Sequence, residues 1–150
     1  MERYFEDWVV GERMETGAKT LSEAEIVAFA REFDPQPFHL DPEAAKASHF
    51  RGLVASGWHT TAITMRLIVD SGIFGTKGGV GLGVDELRWL KPVFPGDTLH
   101  VACEVASARA NPEKRSGVCH FKLTTVNQNG EPVMVHTAIV LVPKREAARA

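Results

Sequence analysis

From Ser56 to Ser71 the chain reads SGWHTTAITMRLIVDS, a run whose only charges are Arg66 and Asp70, and it reads as one helix. Ser56 suits the N-cap, where its hydroxyl accepts from an unpaired backbone N–H. Gly72 suits the left-handed residue that ends a helix. About 15 residues in between make a rod of about 22 Å. Arg66 and Asp70 stand one helical turn apart and can pair near its C-terminal end. Trp58, Ile63, Met65, Leu67, Ile68 and Val69 dominate the remaining surface. A helix with so little polar face is expected to be surrounded by protein. It is too short, and too polar at its start, to span a bilayer. The rest of the chain must therefore wrap this rod, and the strand-like second half supplies a sheet to do it.

Composition narrows the class further. A chain of 150 residues is sized for one domain, 1–150, with a proper core. Its 44% hydrophobic and 24% charged content suit a soluble globular protein. The net charge of −2 gives no overall pull toward nucleic acid or an anionic membrane, so neither is expected as a partner. Any phosphate-bearing ligand needs a local basic patch. The opening MERYFEDWVVGERME is charged and has no apolar core of signal-peptide length, which predicts a cytoplasmic protein. In a reducing compartment Cys103 and Cys119 are expected as buried thiols rather than a disulfide. With no CxxC pair, neither a zinc ribbon nor a thioredoxin-type site is indicated.

In chain order, residues 1–12 read as an irregular lead-in that packs Phe5 and Trp8, and Arg13 to Lys19 as a short edge strand. Ser22 with Glu25 forms a capping box, and Leu21 with Ile26 a hydrophobic staple. Ile26, Phe29, Ala30 and Phe33 then share one helical face. That helix stops near Phe33, because Asp34 precedes Pro35 and is pushed out of the α region. Asp34 to Asp41, DPQPFHLD, reads as a stiff loop whose two prolines fix their own φ and restrict Asp34 and Gln36. Asp41 caps a short helix with Pro42 at its first position, and His49 to Gly52 turn the chain into the central helix.

The glycine-rich GIFGTKGGVGLG after Ser71 reads as a mobile connection. Val84 to Lys91 is expected as a strand, and Pro95-Gly96-Asp97 as a turn. Leu99 to Val105 and Cys119 to Thr125 alternate as half-buried strands, separated by a polar loop from Ala108 to Ser116. A cross-strand contact of the two cysteines follows if that loop is centred near Asn111. Asn129-Gly130 signals a hairpin, Val133 to Val142 is the last strand, and the tail KREAARA is expected to fray. Helices followed by hairpin-linked strands give an α+β fold, an antiparallel sheet wrapped around a long central helix, the hot-dog arrangement. The exposed edges of such a sheet would be paired by edge-to-edge dimerisation.

Asp34 and His39 sit together on the stiffened loop, and a carboxylate and an imidazole that reach one water form an acid–base pair. Singly, Asp34 is more simply a turn former before proline and His39 a surface loop histidine. Jointly, on a rigid loop leading to a buried helix, the functional reading moves ahead. Ser56 and Gly57 add a helix N-terminus with unpaired N–H groups and partial positive charge. Glycine there lets a ligand approach the backbone, and an oxyanion on a thioester carbonyl would be stabilised. On spacing alone a plain cap with a close-packed glycine is the commoner reason for such a pair. Asp41 is most simply a cap. His39, Asp41, His49 and His59 show no i, i+4 pair of a zinc helix, so no metal is expected. Gly75-Thr76-Lys77 lacks the spacing of a phosphate loop, and Gly78–Gly83 lacks the strand and helix of a dinucleotide fingerprint. Arg88 and Lys91 read as solvated, Trp58 and Trp89 as core or pocket lining.

The stretch LSEAEIVAFAREFDPQPFHLDPEAAKASHFRGLVASGWHT resembles the MaoC-like dehydratase and (R)-specific enoyl-CoA hydratase family of hot-dog proteins. Asp34, Pro37, His39, Asp41, Phe50, Ala55 and Gly57 fall without gaps on the family pattern D-x-N-P-x-H-x-D, phenylalanine, A-H-G. The similarity extends through ELRWLKPVFPGDTL and NQNGEPV. The resemblance implies reversible hydration of a trans-2-enoyl thioester of coenzyme A. In that reaction Asp34 and His39 would activate the water and deliver the proton to the α carbon, and the Gly57 N–H would hold the thioester oxygen. It implies no cofactor, an acyl-CoA thioester as partner, and a homodimer or higher homo-oligomer. Gln36 stands where the family carries asparagine, and Ser56 where it carries histidine. Met65 stands where some hydratases carry a hydroxyl. Two other functions compete. A hot-dog thioesterase usually places a carboxylate on or beside the central helix, and none lies between Ala55 and Val69. A non-catalytic acyl-CoA binding subunit would need neither Asp34 nor His39.

Overall fold

The fold comes from a computed structural model that describes residues 2–145; of the tail expected to fray, positions 146–150 lie outside the described residues. A single 3-10 turn, Phe5–Asp7, leads into β1 (Arg13–Thr20). Trp8 is buried with its ring edge-on to Phe121 at 5.0 Å. The capping box opens α1 (Glu23–Phe33): Ser22 Oγ accepts from the Glu25 N–H, and the Glu25 carboxylate accepts from the Ser22 N–H. Leu21 and Ile26 are both buried, as a staple requires. The core-facing stripe ends at Ala30, one turn before the sequence suggests. Phe33, the last helical residue, lies in solvent against Phe29.

Two short helices follow, α2 (Pro37–Leu40) and α3 (Pro42–Lys46), and then the central helix α4 (Gly57–Asp70). The DPQPFHLD segment is thus not wholly a loop. Gln36 is extended, but Pro37 sits at the first position of a helical turn that carries His39. A φ fixed near −65° serves a turn and a helix start equally well.

The remaining strands are β2 (Val80–Trp89), β3 (Thr98–Ala110), β4 (Ser116–Val126) and β5 (Pro132–Pro143). They join β1 in one antiparallel sheet of order β1-β3-β4-β5-β2. Val101, Cys103 and Val105 from β3, Phe121 and Leu123 from β4, and Met134 and Val140 from β5 form a common buried core with Ile63, Leu67 and Ile68 of α4. Near the middle of the helix, Thr64 Oγ1 meets Thr125 Oγ1 at 2.6 Å, so two buried hydroxyls satisfy each other. This is the expected α+β fold, a five-stranded antiparallel sheet with a central helix.

Three further expectations change. First, β2 begins at Val80, inside the glycine-rich stretch, with Gly81 opposite Val140 and Gly83 opposite Ile139. A side chain at Gly79 would meet Val140 at 2.7 Å, which accounts for one of these glycines by close packing. Second, the hairpin between β3 and β4 is tighter than its polar sequence suggests, with Ala110 opposite Gly117. That register puts Cys103 opposite Leu123 and Cys119 opposite Ala108, so the cysteines do not face each other. Burial pushes the Cys103 thiol up to about 12 and the Cys119 thiol up to about 11, so both stay protonated. Third, α4 is wrapped on one side only. His59, Thr60, Ile63, Thr64, Leu67 and Ile68 are buried, whereas Trp58, Met65 and Val69 are each more than half exposed. The neighbouring edge strand β2 is likewise open, with Val80, Leu82 and Val84 exposed.

Candidate active site

The site is built where α2 meets the segment leading into α4. His39 is buried, and its Nδ1 lies 2.7 Å from the Val54 carbonyl oxygen. A carbonyl only accepts, so Nδ1 carries the hydrogen and the tautomer is set. Nε2 is left facing Asp34, 3.3 Å from Oδ2. Asp34 stands at the C-cap of α1, outside helical geometry, as the residue before a proline must be. Ser56 Oγ donates to Asp34 Oδ2 at 2.7 Å, and Gln36 Nε2 donates to Oδ1 at 2.5 Å. Burial alone would raise the Asp34 pKa. The donors on Ser56 and Gln36, with the attraction that a protonated His39 adds, outweigh it and hold the carboxyl below its ordinary value.

The two departures from the family pattern, Gln36 and Ser56, therefore converge on one carboxylate, each donating to a different oxygen. Ser56 is fully buried and does double duty, since its hydroxyl also accepts from the Trp58 N–H as the N-cap of α4. Ser56→Ala should raise the Asp34 pKa, because burial is then opposed by one donor fewer. It should also remove a helix cap, at about 1 kcal/mol of stability. A carbon-detected NMR titration of the Asp34 carboxyl reads the first effect; an unchanged midpoint would show that the hydroxyl does not hold the charge.

Gly57 is the first residue of α4, and among the described residues its N–H has no hydrogen-bond partner. A Cβ at this position would fall 2.6–2.9 Å from ring atoms of Trp89. The Trp89 Nε1–H in turn donates to Thr61 Oγ1 at 3.3 Å, and Thr61 donates to the Gly57 carbonyl at 2.9 Å. His39 and Gly57 face a common cavity of about 280 Å³, lined also by Phe38, Thr60, Trp89 and Val133. Neither Asp34 nor Ser56 lines this cavity; Asp34 is linked to it through its contact with His39. A larger hollow of about 680 Å³ on the β1-β3-β4 surface, among Arg13, Glu15, Glu104 and Lys122, holds none of these residues.

Sequence reasoning did not single out Val54, whose carbonyl fixes the imidazole, nor Trp89 as the residue packed on Gly57. An acceptor on the backbone leaves no trace in residue type. The tryptophan's proximity depends on β2 folding back beside α4. The weaker candidates resolve simply. Asp41 caps α3 by accepting from the Glu43 N–H. Thr76 donates to the Glu2 carboxylate, tying the glycine-rich turn to the N-terminal segment. His59 stacks on Phe29, and among the described residues no three metal-ligating side chains come together.

Residues 7–127 match the MaoC like domain model, which spans most of the chain, and the protein belongs to that family. It superposes on the MaoC-like dehydratase from Rhodospirillum rubrum with a TM-score of 0.90 at 46% identity, covering 95% of this chain and 98% of that one. It superposes on the unliganded R-hydratase of Pseudomonas aeruginosa with a TM-score of 0.73 at 26% identity, covering 95% and 86% of the two chains. An uncharacterized Bacillus subtilis protein, YdeM, is 31% identical over 140 residues, which are 93% of this chain and 98% of that protein. No helix among the described residues is long and apolar enough to cross a membrane.

Proposed function

We propose that this protein is a hydro-lyase that adds water reversibly across the double bond of a trans-2-enoyl-CoA thioester to give a 3-hydroxyacyl-CoA. The observation that carries the reading is the placement of a depressed-pKa carboxylate and an imidazole of fixed tautomer beside an unpaired N–H at a helix tip. With Nδ1 occupied by Val54, only His39 Nε2 is free to exchange a proton. A water held beside Nε2 and Asp34, within reach of both, gives its proton to this pair as its oxygen bonds to the β carbon. Electron density moves onto the thioester oxygen, where the Gly57 N–H and the start of the helix dipole stabilise the enolate. The proton held by the pair then passes to the α carbon, so water is added with no net change to the enzyme. The similarity to an R-hydratase supports the same reaction class.

A second cavity, of about 500 Å³, runs along α4 from Thr61 toward Phe74. Its size suits an acyl chain continuing beyond the reacting carbons. The open face of α4 and the unpaired edge of β2 meet along its rim, and we assign that surface to a homodimer. One preparation tests both assignments. Crotonyl-CoA should lose its conjugated double bond without releasing free thiol, and light scattering should read at least twice the chain mass. Thiol release instead would identify a thioesterase, binding without either reaction an acyl-CoA binding subunit, and a monomer would sink the assigned interface.

A further inference from the structure

The wall of the 500 Å³ cavity along α4 contains a buried imidazole that the reaction does not use. His136, on β5, is buried to 6% exposure and lines the cavity, yet among the described residues neither ring nitrogen has a hydrogen-bond partner, and Nδ1 is the fully buried one of the two. Buried polar side chains are nearly always paired, and an unpaired one asks for a reason. The two threonine hydroxyls there are already engaged. Thr61 Oγ1 is bound to the Gly57 carbonyl and Trp89, and Thr64 Oγ1 to the Thr60 carbonyl and Thr125.

The sheet is also irregular at this point. His136 pairs with Leu123 on one side. On the other it stands at a bulge of β2, between the pairs Asp85–Thr137 and Arg88–Val135, where Glu86 adopts a φ of 52°. A non-glycine residue in the left-handed region is uncommon, and bulges gather beside functional sites.

We infer that His136 is a specificity residue, reading a neutral oxygen function, a hydroxyl or a keto group, on the outer part of the acyl chain. This rests on the acyl-CoA reading above. Burial lowers the His136 pKa, so the ring is neutral and offers one N–H donor and one lone pair, which suits a neutral oxygen. A carboxylate fits poorly, because the lining carries no lysine or arginine to offset its desolvation. An all-methylene chain would leave the imidazole unpaired, as it is now.

Calorimetry with saturated thioesters separates this from catalysis, because they bind without reacting. Octanoyl-CoA and a series carrying one hydroxyl moved along the outer half of the chain are titrated into wild type, His136→Leu and His136→Gln. For the best-placed hydroxyl, His136→Leu should lose about tenfold in affinity. Octanoyl-CoA should bind wild type and His136→Leu within about twofold, and His136→Gln, which keeps hydrogen-bonding groups, should retain much of the preference. An affinity ratio unchanged in His136→Leu at every hydroxyl position overturns the role of His136 alone. Failure of octanoyl-CoA itself to bind wild type overturns the acyl-CoA reading and this inference with it. A His136→Leu variant altered only in oligomeric state would show that the cavity serves subunit packing instead.

Discussion

Asp34→Asn and His39→Gln should each lower the hydration of crotonyl-CoA by a factor of about 10² to 10⁴, the range expected for removing a positioned acid–base group. Neither change should unfold the protein. In Asp34→Asn the amide replaces a carboxylate that accepts from two donors. Its oxygen still accepts from one of them. The other partner adapts: a serine hydroxyl accepts as readily as it donates, and a glutamine amide turns to present its oxygen. The hydrogen bonds therefore survive with their directions rearranged, while the negative charge and the proton-accepting capacity are lost. In His39→Gln an amide can still donate toward Val54, but it exchanges no proton near neutral pH. Circular dichroism melts within a few degrees of wild type, together with a collapse of kcat/KM, are the expected pair of results. Near-normal turnover in either variant of an active parent would remove the roles assigned to both residues.

The meeting of Asp34 and His39 was legible because their spacing is short and its stiffening is covalent. Two prolines constrain the segment whatever the rest of the chain does. The capping box at Ser22 and the helix cap at Ser56 were legible for the same reason, since each is satisfied within three residues. What was hidden depends on distant partners. The start of β2 at Val80 was masked by glycines, because backbone pairing to β5 needs no side chain to announce it. The strands of the β3–β4 hairpin run further than their burial pattern, for ladder hydrogen bonds continue after the side chains have left the core. The open face of α4 looked like core because Trp58, Met65 and Val69 are apolar. Residue type reports that a face is to be covered and not by which chain.

Gly57→Ala tests the helix tip itself, and here an activity loss of about 10²-fold is expected although the N–H is retained. The backbone at Gly57 has an ordinary φ, so alanine brings no conformational penalty there. Its methyl would even favour folding slightly by restricting the unfolded chain, by about 0.4–1 kcal/mol, were the space free. The space is taken, because ring atoms of Trp89 lie 2.6–2.9 Å from where that methyl must sit. Either the indole leaves, opening the wall of the cavity it lines, or the first turn of α4 shifts and carries the N–H with it. A displacement of about 1 Å at a group that positions a reacting atom costs about 10² in rate. The combination Gly57→Ala with Trp89→Leu separates these causes through a double-mutant cycle. If the clash is the cause, alanine should cost little in the leucine background, and the destabilisation of the single variant should fade with it. An equal loss of kcat/KM from alanine in both backgrounds would instead mean that substrate itself approaches the Gly57 backbone too closely to tolerate a methyl. In that case the glycine is there for the thioester and not for the tryptophan.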